Sequence, residues 1–496
     1  MSVIRRQAIL NTLVTYVGVF LGAFNTLYLY PRVLPTDQIG LVRLLISISL
    51  ILVQFGTLGM LAAIPKFFPV WQTVDRRHGG ILAVVGLVSA VGTALTLGLL
   101  VAFQPQVVAH YAKSPLLGQY YFWLLPLTVF QVLTGLAENF TAMTYRTVFT
   151  AFVREVLLRL LTTLLLIGVW TGWMNFDNFV QGFMLSQGVV TVLNLWALWH
   201  TGRFQFHFTL RGIDLKGVKR MVGYGLFMFL SGATLIVAQT LDGLMLASYQ
   251  GLSIVGIFTT FSFIGTFISI PARALTRIAR PVVAHAYAAG DYAKVQELYA
   301  KTTLIQLLVC GILYVGIVVN EPALYLVLPA EGFSPYFEIF ILIGLGLLVD
   351  SACGLNTVLI AISDKYRFDI LFNILLIGVG AATNVWLIPP YGGWGAALAT
   401  CITLVSLNVM KWAFVWFALN LQPFGWQHLG GALLLGACWM LGYLLPDSSI
   451  LWVHLFTHTL ACGGLFLLVI RFTPLAPELR ERIQVYTRKA IGIWKK

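Results

Sequence analysis

The feature that most constrains this chain is a series of long apolar runs. About 20 apolar residues in a helix cross the roughly 30 Å hydrocarbon core of a bilayer. Charged residues make up only 10% of the 496-residue chain, against about 25% in soluble domains, so its surface does not suit water. Fourteen runs reach the required length: 8–30, 38–64, 79–103, 118–143, 151–172, 176–199, 221–249, 254–272, 300–328, 336–362, 368–388, 393–419, 428–446 and 450–470.

Backbone hydrogen bonding decides what these runs fold into. In lipid, only helices and closed barrels satisfy every backbone N–H and C=O group. The runs lack the ten-residue alternating pattern of barrel strands. The sequence therefore predicts an all-α polytopic membrane protein with fourteen transmembrane helices. The first run follows Arg5 and Arg6 and has no small-residue cleavage site, so we expect it to remain as a span.

The distribution of basic residues predicts the orientation. If the N-terminus is cytoplasmic, 28 of the 31 Lys and Arg residues lie on the cytoplasmic side, and the outer loops hold only Arg32 and Lys113. This asymmetry follows the positive-inside rule, so we expect both termini to be cytoplasmic. The net charge of +13 therefore reflects sidedness and contact with anionic membrane lipids. It does not indicate a nucleic-acid partner.

A weak internal repeat predicts how the chain is organised. Residues 21–45 align without a gap on residues 237–261, and both copies run from an apolar helix through a polar turn to Gly40 or Gly256. Two six-helix lobes around a central cleft are a common transporter plan. We predict an N-terminal lobe at 1–200, a C-terminal lobe at 201–420 and an extra transmembrane helix pair at 421–471. At 472–496 we predict a cytoplasmic amphipathic tail on the inner leaflet, with a solvated helix as the alternative.

Four segments resemble a known family. The stretch NVWLIPPYGGWGAALAT (384–400) resembles the junction between spans 11 and 12 of bacterial polysaccharide flippases. The stretch YGLFMFLSGATLIVAQTLDGLML (224–246) is similar to their seventh span, and IVGIFTTFSF (254–263) to a motif that follows it. ALTRIARPVVAHAYAAGDYAKVQELYAK (274–301) is similar to their loop between spans 8 and 9. Taken together in their order along the chain, the four segments resemble the multidrug/oligosaccharidyl-lipid/polysaccharide exporter superfamily. Within it, they resemble the O-antigen (lipopolysaccharide) and exopolysaccharide flippase branch.

The resemblance implies a function. Such proteins move lipid-linked oligosaccharides, with a polyprenyl-pyrophosphate carrier, across the bacterial inner membrane by alternating access. It also implies H⁺ or Na⁺ as a candidate coupling ion and polysaccharide-assembly proteins as candidate partners. The alternative is an ion-coupled multidrug exporter of the same superfamily. Walker A, HExxH, GxSxG and metal-spaced His/Cys motifs do not occur in the sequence, so we expect no enzyme activity, cofactor or metal.

Charged residues inside spans are candidates for function, since each costs roughly 3 kcal/mol or more if it faces lipid. Arg43 and Asp242 lie at similar depths toward the outer side, in the second and seventh runs. We hypothesise that they line the cleft and approach each other when the outer side closes. In the alternative, each is satisfied locally, Asp242 by Gln239 or by nearby hydroxyl groups. Asn25, in the first copy of the repeat, is a further cleft candidate.

Two acids and three arginines complete the set of candidates. Asp350 lies near the centre of the tenth run and Glu138 in the inner half of the fourth. Either acid could bind a coupling proton or Na⁺, since a carboxylate kept from water binds a proton more readily; both could equally be structural. Arginine suits phosphate through its forked donors, so we assign a cargo-binding role to a cluster at the inner end of the first lobe. The alternative is anchoring at the interface, with a simple Glu155–Arg159 pair. The cluster comprises Arg146, Arg154 and Arg159.

Overall fold

Helices are the only regular elements in the described part of the chain. The computed structural model describes residues 2–71, 80–144, 146–202, 215–446, 448, 450–477 and 479–481. Every regular element in these ranges is a helix, and no strand occurs in them. Many of the helices are long and apolar enough to cross a membrane. The predicted fold class, an all-α polytopic membrane protein, is confirmed.

Seven longer helices are described in the first half of the chain. They are α1 (Ser2–Ala23), α2 (Thr36–Thr57), α3 (Ile81–Ala102), α4 (Leu124–Ala142), α5 (Leu158–Trp170), α6 (Phe176–His200) and α7 (Leu215–Tyr249). Between them lie short helices at Met60–Trp71, Gln104–His110, Pro115–Tyr120 and Thr147–Phe152. Two π-helical segments extend longer helices: Phe24–Leu29 follows α1, and Val153–Leu157 precedes α5.

Six longer helices follow in the second half. They are α8 (Leu252–Ala288), α9 (Tyr292–Val319), α10 (Phe337–Ala352), α11 (Phe368–Leu419), α12 (Trp426–Leu444) and α13 (Leu451–Phe472). A short helix, Leu355–Ile362, continues from α10. The helices α12 and α13 lie in the region predicted to hold an extra pair, and their buried faces share an apolar cluster with α9.

The helix α11 contains two of the predicted spans. Gly392 has φ 56° and ψ −129° within it, a conformation that favours glycine because a Cβ atom clashes there. The Pro389–Pro390 pair just before it removes two backbone donors. The hydroxyl oxygens of Thr383 and Thr403 lie 3.4 Å apart, so the two halves pack side by side as a hairpin. The sequence placed the junction correctly, between runs 368–388 and 393–419.

Eleven of the described helices meet the length and hydropathy expected of a membrane span, and the hairpin α11 is one of them. The predicted fifth run is divided between Thr147–Phe152, the π segment and α5, and the thirteenth corresponds to α12. All fourteen predicted runs therefore contain helix. Their number as true membrane crossings stays a prediction.

The chain forms two compact units, Met1–Thr259 and Thr260–Lys496. In the first, an apolar cluster of α3, α4, Met60–Trp71 and the start of α7 includes Met60, Ile64 and Met221. In the second, a cluster around Tyr299, Leu359 and Val415 joins α9, α10's continuation and α11. The predicted lobes at 1–200 and 201–420 stay a prediction, and most of the predicted tail, 482–496, lies outside the described residues.

Candidate functional site

A polar cavity of about 390 Å³ lies in the first unit, on the side predicted to be cytoplasmic. Three elements form it: the start of α1, the last turns of α4, and the segment that leads from Thr147–Phe152 into the π helix. Two of the predicted arginine and acid candidates lie in its wall. The lining residues are Asn11, Thr15, Glu138, Asn139, Ala142, Thr147, Thr150, Ala151, Arg154 and Glu155.

Hydrogen bonds fix α1 against the wall of this cavity. The Nδ2 of Asn11 donates to Oγ1 of Thr147 at 2.6 Å, and the backbone N–H of Thr147 donates to Oε1 of Gln7 at 3.2 Å. Since Thr147 begins its helix, its N–H has no partner within that helix. The side chain of Gln7 in α1 therefore accepts a hydrogen bond from the first turn of this helix.

The central pair of the cavity is Glu138 and Arg154. Nη1 of Arg154 lies 2.8 Å from Oε2 of Glu138, and the side chain of Arg154 is 59% exposed while that of Glu138 is 18% exposed. The other carboxylate oxygen of Glu138 is buried without a partner among the described residues. The guanidinium of Arg154 is thus neutralised by a fixed carboxylate, and its other N–H groups remain exposed to the cavity. Such an arginine can accept an anion without a new positive charge being buried.

A second pair, Glu155 and Arg159, lies one turn further along. Their side chains meet at 2.9 Å, as predicted from their i, i+4 spacing. The chain comes so close to α1 here that a Cβ on Gly18 would lie 2.6 Å from the carbonyl oxygen of Glu155. Arg159 lies across this glycine and across Gly22, and its Nη1 is buried without a partner among the described residues.

The two π segments coincide with candidate residues. Val153–Leu157 carries Arg154 and Glu155, and Phe24–Leu29 carries Asn25. A π turn adds one residue to a helix and re-aims its side chains, and such turns are frequent at functional sites. In the segment before α5, Arg154 pairs with Glu138 of α4.

Asn25 is almost fully buried, at 3% exposure. Its Nδ2 donates to the carbonyl oxygen of Arg159 at 2.9 Å, and its Oδ1 accepts from Oγ1 of Thr163 at 2.7 Å. These bonds join the first helix to α5. Arg146, by contrast, is exposed and occupies the N-cap position of Thr147–Phe152. Neither residue is among those that line the cavity.

Arg43 is not among the residues that line this cavity and lies near the end of α2 that is predicted to face outward. Its Nη2 donates to Oγ1 of Thr26 at 2.8 Å, and its guanidinium carbon is 5.7 Å from the centre of the Tyr30 ring. It lies seven residues after Thr36, where α2 begins, and Asp242 lies seven residues before Tyr249, where α7 ends. Each residue is therefore about two turns from one end of its helix, and their equal depth in the membrane stays a prediction. Asp242 is half-buried, and direct pairing with Arg43 stays a hypothesis.

The end of α7 that is predicted to face outward and the start of α8 are held by hydrogen bonds to earlier parts of the chain. The Nζ of Lys113 donates to the carbonyl oxygen of Tyr249 at 2.7 Å, and Oγ of Ser114 donates to that of Ala247 at 2.6 Å. The hydroxyl groups of Thr36 and Ser253 lie 2.6 Å apart. These contacts fasten the turn between α7 and α8 to α2 and to the loop after Gln104–His110.

Glycines allow α2 to approach these helices without intervening side chains. A Cβ on Gly40 would overlap the carbonyl oxygen of Leu252, and one on Gly256 would overlap that of Thr36. Further inward, Nε2 of Gln54 donates to the carbonyl oxygen of Phe229 at 3.3 Å. The helix α2 therefore contacts α7 or α8 near both of its ends.

Asp350, the other acid candidate, lies in the second unit. Its Oδ1 accepts from Nδ2 of Asn408 at 2.9 Å. Close by lies Lys411, one of the 28 basic residues assigned to the cytoplasmic side, which we expected at a helix end. That assignment was wrong, because Lys411 lies eight residues before the end of α11 and is only 7% exposed. Its position within an apolar run was the signal.

Comparisons with known proteins agree with this architecture. Residues 4–285 match the model of a family described as polysaccharide biosynthesis protein. Among solved structures, the lipid II flippase MurJ, in an inward closed conformation, is similar with a TM-score of 0.70 and 13% identity, covering 94% of this chain and 98% of that one. A point mutant of the Vibrio cholerae MATE transporter VcmN gives a TM-score of 0.48 and 12% identity, covering 85% and 98%. A comparison with curated protein sequences gives no match.

Proposed function

Because the chain belongs to the polysaccharide biosynthesis protein family, we propose that it moves a lipid-linked oligosaccharide across the bacterial inner membrane by alternating access. The cargo is of the polyprenyl-pyrophosphate type, and both termini of the protein face the cytoplasm. The fold, shared with a lipid flippase, supports a role in which the helices move while no covalent bond changes. The orientation rests on the distribution of basic residues.

The observation that carries the proposal is the cavity around Arg154. A pyrophosphate linkage needs cationic donors where it enters from the cytoplasm, and a guanidinium offers two parallel N–H bonds to phosphate oxygens. Arg154 is already paired with Glu138 at 2.8 Å and is still more than half exposed. The incoming phosphate therefore competes with the carboxylate of Glu138 for the N–H groups of Arg154. This competition keeps phosphate binding reversible, which a carrier requires.

The two ends of the first unit differ, since one is open and the other is closed by hydrogen bonds, and this difference supports a direction for cargo movement. The cavity near Arg154 is open, with an accessible volume of about 390 Å³, whereas the outer turn between α7 and α8 is fastened to Thr36, Lys113 and Ser114. Cargo loaded from the cytoplasm would leave when the outer contacts separate. Arg43, at the depth of Asp242, would then offer the pyrophosphate a second cationic group on the outward path.

The alternative is an ion-coupled exporter of cationic drugs, and two acids in the cavity wall, Glu138 and Glu155, could attract such a drug. Their charges are balanced by Arg154 and Arg159 at 2.8 and 2.9 Å, and a cationic drug would have to displace an arginine from each. An anionic linkage displaces a carboxylate instead and meets the arginine directly. The balance of charges therefore supports the lipid-linked cargo.

The test is deletion of the gene in its native strain, followed by analysis of surface polysaccharide and lipid-linked intermediates. We expect loss of the polysaccharide and accumulation of the lipid-linked unit on the cytoplasmic side. Complementation with Arg154→Gln should fail, and complementation with Arg471→Gln, at the exposed end of α13, should succeed. Normal polysaccharide together with altered drug resistance would support the alternative and overturn the proposal.

A further inference from the structure

The first unit also contains a larger, apolar cavity. It is a groove of about 540 Å³ between α3, α4 and the end of α6, and among the described residues only Ser89 and Thr93 add polar side chains to its lining. All three helices are long and apolar enough to cross a membrane. The groove therefore lies at the depth of lipid chains, and the ligand that suits it is an apolar chain.

The two main walls of the groove differ in shape. The wall on α4 carries branched and aromatic side chains, whereas small residues recur on α3 at intervals of three or four positions, at Ala83, Gly86, Ala90 and Ala94. A Cβ atom on Gly86 would meet no atom within 4 Å. Small residues on successive turns leave a row of recesses along α3. Such a row suits an isoprenoid chain, which carries methyl branches at regular intervals, better than an unbranched acyl chain.

One polar group in the groove has no partner. Ser89 is 1% exposed, and its Oγ makes no hydrogen bond to the described residues. Thr93, one turn further along α3, donates to the carbonyl oxygen of Gly56 at 3.5 Å. An unpaired buried hydroxyl group is costly, so an occupant with an acceptor stabilises the site. A saturated chain has no acceptor, whereas the double bonds of an isoprenoid offer π electrons to which a hydroxyl group donates weakly.

The length of the groove limits what can fill it. Its lining on α3 runs from Leu82 to Leu97, which is about 22 Å at 1.5 Å per residue. One leaflet supplies about half of the roughly 30 Å hydrocarbon core. An acyl chain of the cytoplasmic leaflet therefore leaves the outer part of the groove unfilled.

The helix α4 separates the groove from the polar cavity around Arg154. Leu136 and Phe140 line the groove, whereas Glu138 and Ala142 line the polar cavity. Because a helix has 3.6 residues per turn, residues two positions apart lie on nearly opposite sides. The two sites are therefore at the same depth along α4, about one helix diameter or 10–12 Å apart.

We propose that this groove binds the polyprenyl chain of the lipid-linked cargo while the pyrophosphate lies at Arg154. The proposal rests on the proposed transport function for the source of the chain. From the polar cavity, the chain passes the cytoplasmic end of α4 and then runs along α3 toward the outer side. Groove and helix diameter together need a chain of more than about 30 Å, roughly twice the depth of one leaflet, which a long isoprenoid provides.

Photolabelling of the full-length protein in vesicles of dioleoylphosphatidylcholine tests the site with a probe that carries no sugar. The probe is a polyprenyl phosphate with a diazirine in its chain. We expect the label on α3 between Leu82 and Leu97 and on the facing turns of α4. Unlabelled polyprenyl phosphate should compete, and dioleoylphosphatidic acid, a phosphate on acyl chains, should not. Label confined to other helices, or equal competition by the two phosphates, would overturn the proposal.

A variant that fills the groove provides a second test. Gly86→Phe should raise the probe concentration for half-maximal labelling roughly tenfold, the factor expected when about two CH₂ groups lose their apolar contact. Gly98→Phe is the matched control, because a Cβ atom on Gly98 of α3 also meets no atom within 4 Å and Gly98 does not line the groove. Ala90→Phe replaces Gly86→Phe if the latter does not fold. Equal labelling of the folded groove variant and the control contradicts the site.

A hydrogenated probe tests the role of Ser89. Wild-type protein should bind the polyprenyl probe about two- to fivefold more tightly than its saturated analogue, and Ser89→Ala should remove this preference. A preference that persists in Ser89→Ala contradicts the contact with the double bonds. Because labelling needs neither sugar nor transport, it can fail while the deletion phenotype holds, and the deletion phenotype can fail while labelling holds.

Discussion

Arg154 and Glu138 meet at 2.8 Å across the cavity in the first unit, although they belong to different helices and lie 16 positions apart in the chain. The acid is largely buried and the arginine is largely exposed. This difference means that the pair is a fixed carboxylate that holds a guanidinium at the edge of an open space.

Replacing Arg154 by Gln should lower transport roughly tenfold or more, since a hydrogen bond to a charged group contributes about 1.5–3 kcal/mol and each 1.4 kcal/mol is a factor of ten. Complementation of surface polysaccharide in the deletion strain measures this. Arg154→Lys keeps the charge but lacks the forked donors and should be intermediate. Equal activity of the wild type, Arg154→Gln and Arg154→Lys would show that Arg154 does not contact the cargo.

Variants of Glu138 distinguish the effect of the ion pair on stability from its effect on transport. Glu138→Gln leaves Arg154 free of its counter-charge, so we expect cargo to bind more tightly and to leave more slowly, with a lower transport rate. Glu138→Gln/Arg154→Gln should unfold at a temperature closer to wild type than Arg154→Gln, where the buried carboxylate stays unpaired. Thermal unfolding of the purified proteins provides the comparison. A double variant less stable than Arg154→Gln would contradict this reading.

A disulfide should lock the outer contact between α2 and α8. The hydroxyl oxygens of Thr36 and Ser253 are 2.6 Å apart, so Thr36→Cys/Ser253→Cys should oxidise readily. We expect transport to stop after oxidation and to recover after reduction. Either single cysteine variant is the control, and the native cysteines are buried. Full transport by the cross-linked protein would mean that this contact does not open during the cycle.

Exchanging two charges tests the hypothesis on Arg43 and Asp242. If they pair when the outer side is closed, Arg43→Asp/Asp242→Arg should regain much of the transport that each single variant loses. Thr26→Val is the matched comparison, because it removes only the hydroxyl that accepts from Arg43 at 2.8 Å. Failure of the exchange to restore transport, with both single variants inactive and folded, counts against direct pairing.

Asn25 should matter for stability more than for cargo. Its amide joins α1's continuation to α5 through Arg159 and Thr163, and leaving such buried groups unpaired costs about 1–3 kcal/mol. Asn25→Ala should therefore lower the unfolding temperature, whereas Asn178→Ala, at an exposed position, should not. Unchanged stability together with lost transport in Asn25→Ala would instead support the original prediction that Asn25 lines the cleft.

Much of the helical architecture could be predicted because apolar runs and breaks are local. The break at Gly392 within α11 lies between two predicted runs, and the Glu155–Arg159 pair follows from spacing on one helix. The Glu138–Arg154 pair could not be predicted, since it depends on how α4 packs beside a π segment. Lys411 was missed because it was counted with the basic residues at cytoplasmic helix ends, although it lies eight residues inside the run that ends at Leu419.

The most direct test of the central claim uses purified protein in vesicles with a fluorescent lipid-linked oligosaccharide. The fraction of oligosaccharide that an impermeant quencher reaches from outside is followed over time. The account predicts that wild-type protein and Arg471→Gln bring the label from one leaflet to the other, and that Arg154→Gln and empty vesicles leave it in place. Equal movement in empty vesicles and in those with wild-type protein would contradict the claim that this chain is a flippase.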